Sequence, residues 1–248
     1  MSSKFFSILI LASLVLAREF NKNSVEFNII NNLPQNVDQV IYVVPQLVDL
    51  SINEKIFPLV QLYPGSNRGS QRFTYKGNIS VLACNPENRN KSSRMPIEPG
   101  ELLSAKTTQN GGLELANNPD KTRIIPKQAG VENKTDPPIN LTIDWYIDEQ
   151  LVLSASGINQ ESVATLQLER GLFFYVAVPL SKQNNDQHCS SNLYVFPASI
   201  ASATKGQHSN STLYVIPSGT NNVSVEWSRN NGIAGKDKFI FRPPSATE

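Results

Sequence analysis

Short apolar runs rich in β-branched and aromatic residues recur along the chain, and they most constrain its fold. They are bounded by Gly, Pro, Asn or Ser, as strands are, and no long 3.6-residue periodicity appears after the N-terminal segment. Regularly spaced short strands are typical of sandwiches and barrels. We therefore predict an all-β fold, an antiparallel β-sandwich of jelly-roll-like type. The predicted strands are Val25–Ile30, Val40–Val44 (halted by Pro45), Ile79–Cys84, Leu141–Ile147, Leu151–Leu153, Ala164–Leu168, Leu172–Val178, Leu193–Phe196, Thr212–Ile216, Val223–Trp227 and Lys238–Phe241.

The middle of the chain has a different composition. Residues 85–138 carry seven prolines and few apolar runs. Such a stretch indicates a long irregular insertion or a linker. Two architectures follow: one sandwich with a large excursion, or two small β units joined by a linker. We favour a single domain over residues 18–248 with an irregular insertion at 85–138, because a disulfide from Cys84 to Cys189 would join its two sides.

The N-terminus has the three parts of a secretory signal peptide. Lys4 precedes an apolar run over Phe5–Leu16, and Ala17 is followed by the charged pair Arg18-Glu19. The run is too short for a membrane-spanning helix, which needs roughly 20 residues. We therefore expect residues 1–17 to be cleaved, and we expect no membrane span in the mature chain.

Six Asn-x-Ser/Thr sites follow that segment. In a eukaryotic secretory pathway most sites that reach the surface would carry a glycan. The alternative is a set of unmodified polar loops. The candidate glycosylation sites are Asn78, Asn90, Asn133, Asn140, Asn210 and Asn222.

Cys84 and Cys189 are the only two cysteines. In an oxidising compartment two cysteines indicate one disulfide. The loop it would close, about 100 residues, gives a chain-entropy contribution on the order of 4–5 kcal/mol. His188 adjoins Cys189, but neighbouring strand residues point to opposite faces, which disfavours a catalytic thiol–imidazole pair.

Composition excludes several function classes. The formal net charge is +1, and cleavage after Ala17 would leave a neutral chain. This gives no basic footprint for nucleic acid. Two His and two Cys are too few for an ordinary zinc site. Phosphate-loop, nucleophile-elbow and calcium-loop patterns do not occur. We therefore expect no cofactor, no metal and no nucleic acid partner.

Acidic residues stand beside aromatic residues at one place, around Asp144 and Asp148. Along a flat strand these two residues would be about 13 Å apart, whereas paired glycosidase carboxylates lie about 5–10 Å apart. Asp148-Glu149-Gln150 is better interpreted as a hairpin connection. The segment resembles hairpins of concanavalin-like jelly rolls, but it lacks the closely spaced acidic triad of the glycosidases with that fold.

Aromatic residues could instead form a platform on which sugar rings stack. The candidates are Trp145, Tyr146 and Trp227. Trp and Tyr also fill sandwich cores, and we expect that role for most of them. Strand alternation places Trp145 and Tyr146 on opposite faces, so one of the two would point away from the core.

The segments Leu151–Gly157 and Thr165–Leu172, with the later Leu-Tyr-Val units, resemble small secreted cell-wall glycoproteins of yeasts. The resemblance covers the C-terminal hundred residues and implies an extracellular or cell-wall location. The sequence lacks the Ser/Thr-rich stalk and lipid-anchor signal of that group, and no functional residue can be carried over.

Three functions follow in order of preference. The first is a secreted, N-glycosylated structural or interaction protein without catalysis, whose partners would be glycans or extracellular proteins. The second is a carbohydrate-binding module or lectin. The third is a glycoside hydrolase built around Asp144 and Asp148.

Overall fold

The computed structural model describes residues 24–33, 40–48, 54–63, 69–177, 211–229 and 237–242. These residues form strands, turns and loops and no helix. The all-β prediction is confirmed. The predicted signal peptide, Cys189, His188, Asn210 and the predicted strand Leu193–Phe196 lie outside the described residues. The strands are β1 Val25–Asn31, β2 Val40–Val48, β3 Glu54–Ile56, β4 Val60–Leu62, β5 Ser70–Tyr75, β6 Ile79–Cys84, β7 Met95–Pro96, β8 Leu102–Thr107, β9 Leu113–Asn117, β10 Gln128–Asn133, β11 Leu141–Ile147, β12 Gln150–Ile158, β13 Val163–Ala177, β14 Ser211–Val215, β15 Asn222–Arg229 and β16 Asp237–Arg242.

The strands form three sheets. The four-stranded sheet has the order β16-β15-β1-β5, and the five-stranded sheet has the order β3-β12-β11-β6-β7. The seven-stranded sheet has the order β4-β2-β13-β10-β8-β9, with β14 paired to the second half of β13. Only the β1–β15 and β8–β10 pairs are parallel among the described pairings. The arrangement is therefore predominantly antiparallel and sandwich-like.

One hydrophobic core receives side chains from all three sheets. Phe27 comes from the four-stranded sheet, Phe174 from the seven-stranded sheet and Trp145 from the five-stranded sheet, and all three are fully buried. Along β1, buried positions alternate with partly exposed ones, as a strand with one face on a core requires. Full burial of one such side chain contributes roughly 1.5–3 kcal/mol, so the three sheets stabilise one another.

Stacked aromatic rings join the four-stranded sheet to the seven-stranded sheet. Tyr214 of β14 stacks on Phe241 of β16 with 4.5 Å between ring centroids. The Phe27–Phe73 stack, at 4.9 Å, joins β1 to β5 within the four-stranded sheet. Phe174 meets Phe241 edge-on at 5.1 Å. Each such pair contributes about 0.5–1.5 kcal/mol beyond its buried area. The aromatic residues in the predicted strands are used here to hold two sheets together.

Strand β2 continues through Pro45, whereas the sequence predicted that it would halt there. Pro45 lies opposite Leu172, next to a register shift on β13 between Leu168 and Leu172. Proline cannot donate a ladder hydrogen bond, and an irregularity of this kind is where a strand tolerates it. The strand therefore extends to Val48.

Residues 85–138 contain more regular structure than the predicted irregular insertion. Strands β8, β9 and β10 lie there and belong to the seven-stranded sheet. The expected irregularity holds for the connections at 85–94, 118–127 and 134–140. Except for Pro96, which is in the two-residue strand β7, the prolines of this stretch lie in turns and connections, so they separate strands rather than abolish them.

Candidate functional sites

Asp148 anchors a neighbouring turn. It begins the two-residue connection between β11 and β12, which confirms the predicted hairpin. Its carboxylate accepts backbone N–H bonds from Lys76 at 2.7 Å, Gly77 at 3.2 Å and Asn78 at 3.1 Å. Gly77 has φ of 71°, a conformation that glycine adopts without steric cost. Asp148 thereby fixes the connection between β5 and β6.

The same hairpin turn carries backbone strain. Asp148 has φ of 48° and Glu149 has φ of 70°. Positive φ at both central residues is the signature of a type I′ turn, which matches the twist of the flanking strands. Asp tolerates this conformation, whereas Glu pays a cost of about 1–2 kcal/mol there. Glu149 also receives a hydrogen bond from the Arg94 guanidinium, although its side chain is mostly exposed.

Asp144 occupies a different environment. Its side chain lies within β11 and is buried, and the hydroxyl of Ser154 donates to its Oδ1 at 2.6 Å. Its Oδ2 has no hydrogen-bond partner. Burial raises the pKa of Asp144, and the Ser154 hydrogen bond and the charge of Lys91 offset only part of that rise. Asp144 and Asp148 therefore have different hydrogen-bond partners in separate local structures.

The two candidate tryptophans do not form a sugar platform. Trp145 is fully buried and Trp227 is 1% exposed. Both are part of the main core because their strands direct alternate residues inward. Neither indole has a face available to a ligand, so their assignment as carbohydrate-binding residues is corrected to core packing.

Tyr146 faces away from the main core, as the alternation along β11 predicted. It packs with Phe57 and Leu151 in a second, smaller cluster. The guanidinium carbon of Arg94 lies 3.9 Å from its ring centroid, within the range of a cation–π contact. Because Arg94 covers the ring and the residue is only 8% exposed, Tyr146 does not form an open stacking surface either.

Four of the candidate glycosylation sites are exposed. Asn78, Asn90, Asn140 and Asn222 lie in connections or at a strand end, and all are exposed in the folded chain. A glycan on an exposed asparagine can extend into solvent without disturbing the sheets. Asn210 lies outside the described residues.

Asn133 is the exception among the described sites. It is fully buried, and its Nδ2 donates to the carbonyls of Ile139 and Ile158, each at 2.7 Å. Its Oδ1 accepts from the backbone N–H of Thr135 at 3.1 Å and from the Thr135 hydroxyl at 2.9 Å. A glycan would replace one of the two Nδ2 hydrogens and would have no space. We therefore expect Asn133 to be unmodified in the folded protein.

Cys84 is fully buried at the end of β6, where it pairs with Thr142 of β11. It is not a free thiol in the structure. Its expected partner, Cys189, lies outside the described residues, so the Cys84–Cys189 bond stays a prediction.

An ionic cluster surrounds the buried carboxylate of Glu132, and no sequence pattern indicates it. Glu132 accepts from Asn118 Nδ2 at 2.6 Å, lies 3.1 Å from Lys134 Nζ and bonds to the Arg123 guanidinium. Arg123 also donates to the carbonyl of Glu161 at 2.7 Å. Burial raises the pKa of Glu132, but the hydrogen bonds and charges of Lys134 and Arg123 lower it by more, so the net shift is downward. The cluster attaches the 118–127 connection to the sheet.

A groove of about 380 Å³ lies between edge strands of two sheets and a turn of the third, and no local sequence pattern indicates it. β4 and β5 are edge strands of two of the sheets, and the β11–β12 turn belongs to the third. The exposed ring of Tyr63 follows β4 directly, and its hydroxyl accepts a hydrogen bond from Gln61. The described lining consists of Leu59, Val60, Gln61, Thr74, Asp148 and Gln150.

The described residues contain neither a metal-binding cluster nor a membrane-spanning helix. No group of three or more His, Cys, Asp or Glu side chains is placed to hold a metal ion in the part of the chain that the structure describes. That same part has no helix of the length and hydropathy needed to cross a membrane.

Comparisons with known proteins found no similarity: no family model, curated protein or solved structure matches the chain.

Proposed function

We propose that this chain is a secreted, N-glycosylated, non-catalytic structural or interaction protein of the extracellular space or cell wall. The observation that carries the proposal is the exposure of Asn78, Asn90, Asn140 and Asn222 on the folded sheets. Four acceptor sites on the surface are what a chain with a signal-peptide pattern would present to the glycosylation machinery.

Other features support the same function. Cys84 is buried and has no free thiol, as a disulfide-stabilised extracellular domain requires. The resemblance of residues 151–157 and 165–172 to yeast cell-wall glycoproteins favours the same location. Asp148 is engaged by a neighbouring turn and Glu132 by an ionic cluster, so the proposal gives both carboxylates structural roles.

The experiment is an intact-mass measurement of the natively secreted protein, before and after enzymatic removal of N-glycans and without reductant. We expect a chain beginning at Arg18, with glycans and with two hydrogens missing for the Cys84–Cys189 bond. A chain beginning at Met1, without glycans and with free thiols, would overturn the proposal.

Peptide mapping of the same sample provides an internal control. We expect glycan on peptides containing Asn78, Asn90, Asn140 or Asn222 and none on the peptide containing Asn133. A separate screen tests the non-catalytic part of the proposal: robust hydrolysis of a polysaccharide by the purified protein would contradict it.

A further inference from the structure

We propose that the groove between β4, β5 and the β11–β12 turn binds an uncharged carbohydrate, with Tyr63 as the stacking ring at its margin. The inference rests on the proposed extracellular location for its access to polysaccharides. It does not use Trp145, Tyr146 or Trp227, the aromatic residues that the sequence offered as candidates for this role.

The polar atoms of the groove suit a ligand made of hydroxyl groups. Gln150 and Thr74 are exposed and provide an amide and a hydroxyl, each of which can both donate and accept hydrogen bonds. Gln61 Nε2 donates to the hydroxyls of Tyr42 and Tyr63, which leaves its Oε1 as an acceptor directed by a fixed side chain. A sugar hydroxyl both donates and accepts, so it can satisfy such mixed groups.

Asp148 retains capacity for one more hydrogen bond. A carboxylate has about four lone-pair positions, and the three backbone N–H bonds from residues 76–78 use three of them. The remaining position can accept a hydrogen bond from a hydroxyl group of a ligand in the groove. Asp148 is also held rigidly by those three bonds, and a pre-organised acceptor loses little entropy on binding.

The charge of the lining selects against ionic ligands. Asp148 is the single charged residue among the six described lining residues, and none of them is a lysine or an arginine. A phosphate, sulfate or carboxylate ligand would meet no cation there and would be repelled by Asp148. An uncharged ligand is therefore favoured over an anionic one.

Tyr63 supplies the apolar contact. The residue is 52% exposed, and its hydroxyl is fixed by Gln61, so its ring presents an open surface with limited freedom. The apolar face of a pyranose ring can pack on such a surface, while the hydroxyls at its edge reach the groove. A volume of about 380 Å³ lies within the 300–1,000 Å³ range of small-ligand sites.

The experiment measures binding of the full secreted protein to laminarin, mannan and chitohexaose, by retardation in polysaccharide gels for the two polymers and by calorimetry for all three. We expect binding to at least one of the three. Tyr63→Ala and Gln150→Ala should each weaken it by about tenfold, the order expected for one aromatic or hydrogen-bonding contact. Tyr63→Phe keeps the ring and should remain within about threefold of the unmodified protein.

Ile125→Ala is the matched control. Ile125 is 50% exposed, similar to Tyr63, but it lies in the 118–127 connection, which contributes no residue to the described lining of the groove, so its loss should leave binding unchanged. Because Tyr63, Gln150 and Ile125 are all exposed, their variants should also unfold at the same temperature as the parent. No binding to any of the three probes, or full binding by both Tyr63→Ala and Gln150→Ala, would overturn the groove proposal. The intact-mass result stands independently: a secreted glycoprotein that binds no probe refutes only the groove, and an unsecreted, unglycosylated chain refutes the proposed function.

Discussion

Replacement of Asn133 by Ala is the sharpest test of the described structure. The side chain of Asn133 joins β10 to the 134–140 connection and to β12 through four hydrogen bonds. Its own backbone N–H donates to the carbonyl of Ser162 at 2.9 Å, and that bond survives the replacement. The change therefore isolates the contribution of the amide side chain.

The expected loss of stability follows from those four bonds. Each buried hydrogen bond contributes about 1 kcal/mol net, so their removal should lower the free energy of unfolding by about 4 kcal/mol. For a domain of this size, 1 kcal/mol corresponds to about 2–4 °C in melting temperature, so we expect a decrease of about 8–16 °C. Asn133→Asp should be at least as destabilising at neutral pH, since a carboxylate oxygen would face the carbonyls of Ile139 and Ile158.

The assay is urea and thermal unfolding of protein from which N-glycans have been removed, so that glycan effects do not enter. Asn140→Ala is the control, because Asn140 is an exposed acceptor site seven residues further along the chain. Its replacement should change stability by less than about 0.5 kcal/mol. The structural role of this buried side chain is refuted if the free energy of unfolding of Asn133→Ala is within about 1 kcal/mol of that of Asn140→Ala. It is also refuted if folded protein carries a glycan on Asn133.

Three further changes test other parts of the structure by thermal unfolding. Burial raises the pKa of Asp144 above its ordinary value of 3.8, so its contribution to the free energy of unfolding is complete below that pH and is lost as the pH rises through the folded pKa. The stability of Asp144→Asn relative to the parent should therefore increase from acid to neutral pH. A stability difference that does not change with pH would contradict this. The pKa of Glu132 is lowered from 4.5, so its contribution is present above that pH and disappears in acid; Glu132→Gln should cost about 2 kcal/mol at pH 7 and progressively less as its folded pKa is passed. Glu149→Gly should stabilise the protein by about 1 kcal/mol through relief of positive φ, and a melting temperature that falls would refute the strain.

Regular strands were predictable where large apolar residues are dense. The predicted bounds of Ile79–Cys84 and Leu141–Ile147 are those of β6 and β11. Strands β8 and β10 were missed because their sequences, LLSAKT and QAGVEN, carry few β-branched or aromatic residues. Their strand conformation comes from pairing with each other and with β13, and tertiary pairing of this kind overrides local propensity.

The site residues were less predictable than the strands. Trp145 and Tyr146 could be placed on opposite faces by alternation, but sequence cannot tell which additional layer covers the outer face. An Asn side chain often accepts a hydrogen bond from the backbone N–H two residues further on, forming an Asx turn. Interpreting Asn133-Lys-Thr135 in this way would have indicated that Asn133 has a structural role. Gln61, Thr74 and Gln150 line one groove only because strands of separate sheets come together, and no local pattern encodes that.

The parallel pairing of β1 with β15 has a consequence for biosynthesis. Glu26 pairs with Asn222, so about 200 residues must be synthesised between the two strands. At about 5–20 residues per second, the edge of β1 that β15 occupies has no partner for on the order of 10–40 s. During that interval the backbone N–H and C=O groups along this edge of β1 are unpaired, and such an edge is a template for pairing with other chains. A nascent chain released before residue 222 would therefore keep this strand edge unpaired. The last tenth of the polypeptide, which contains β15, thus protects the first strand from aggregation.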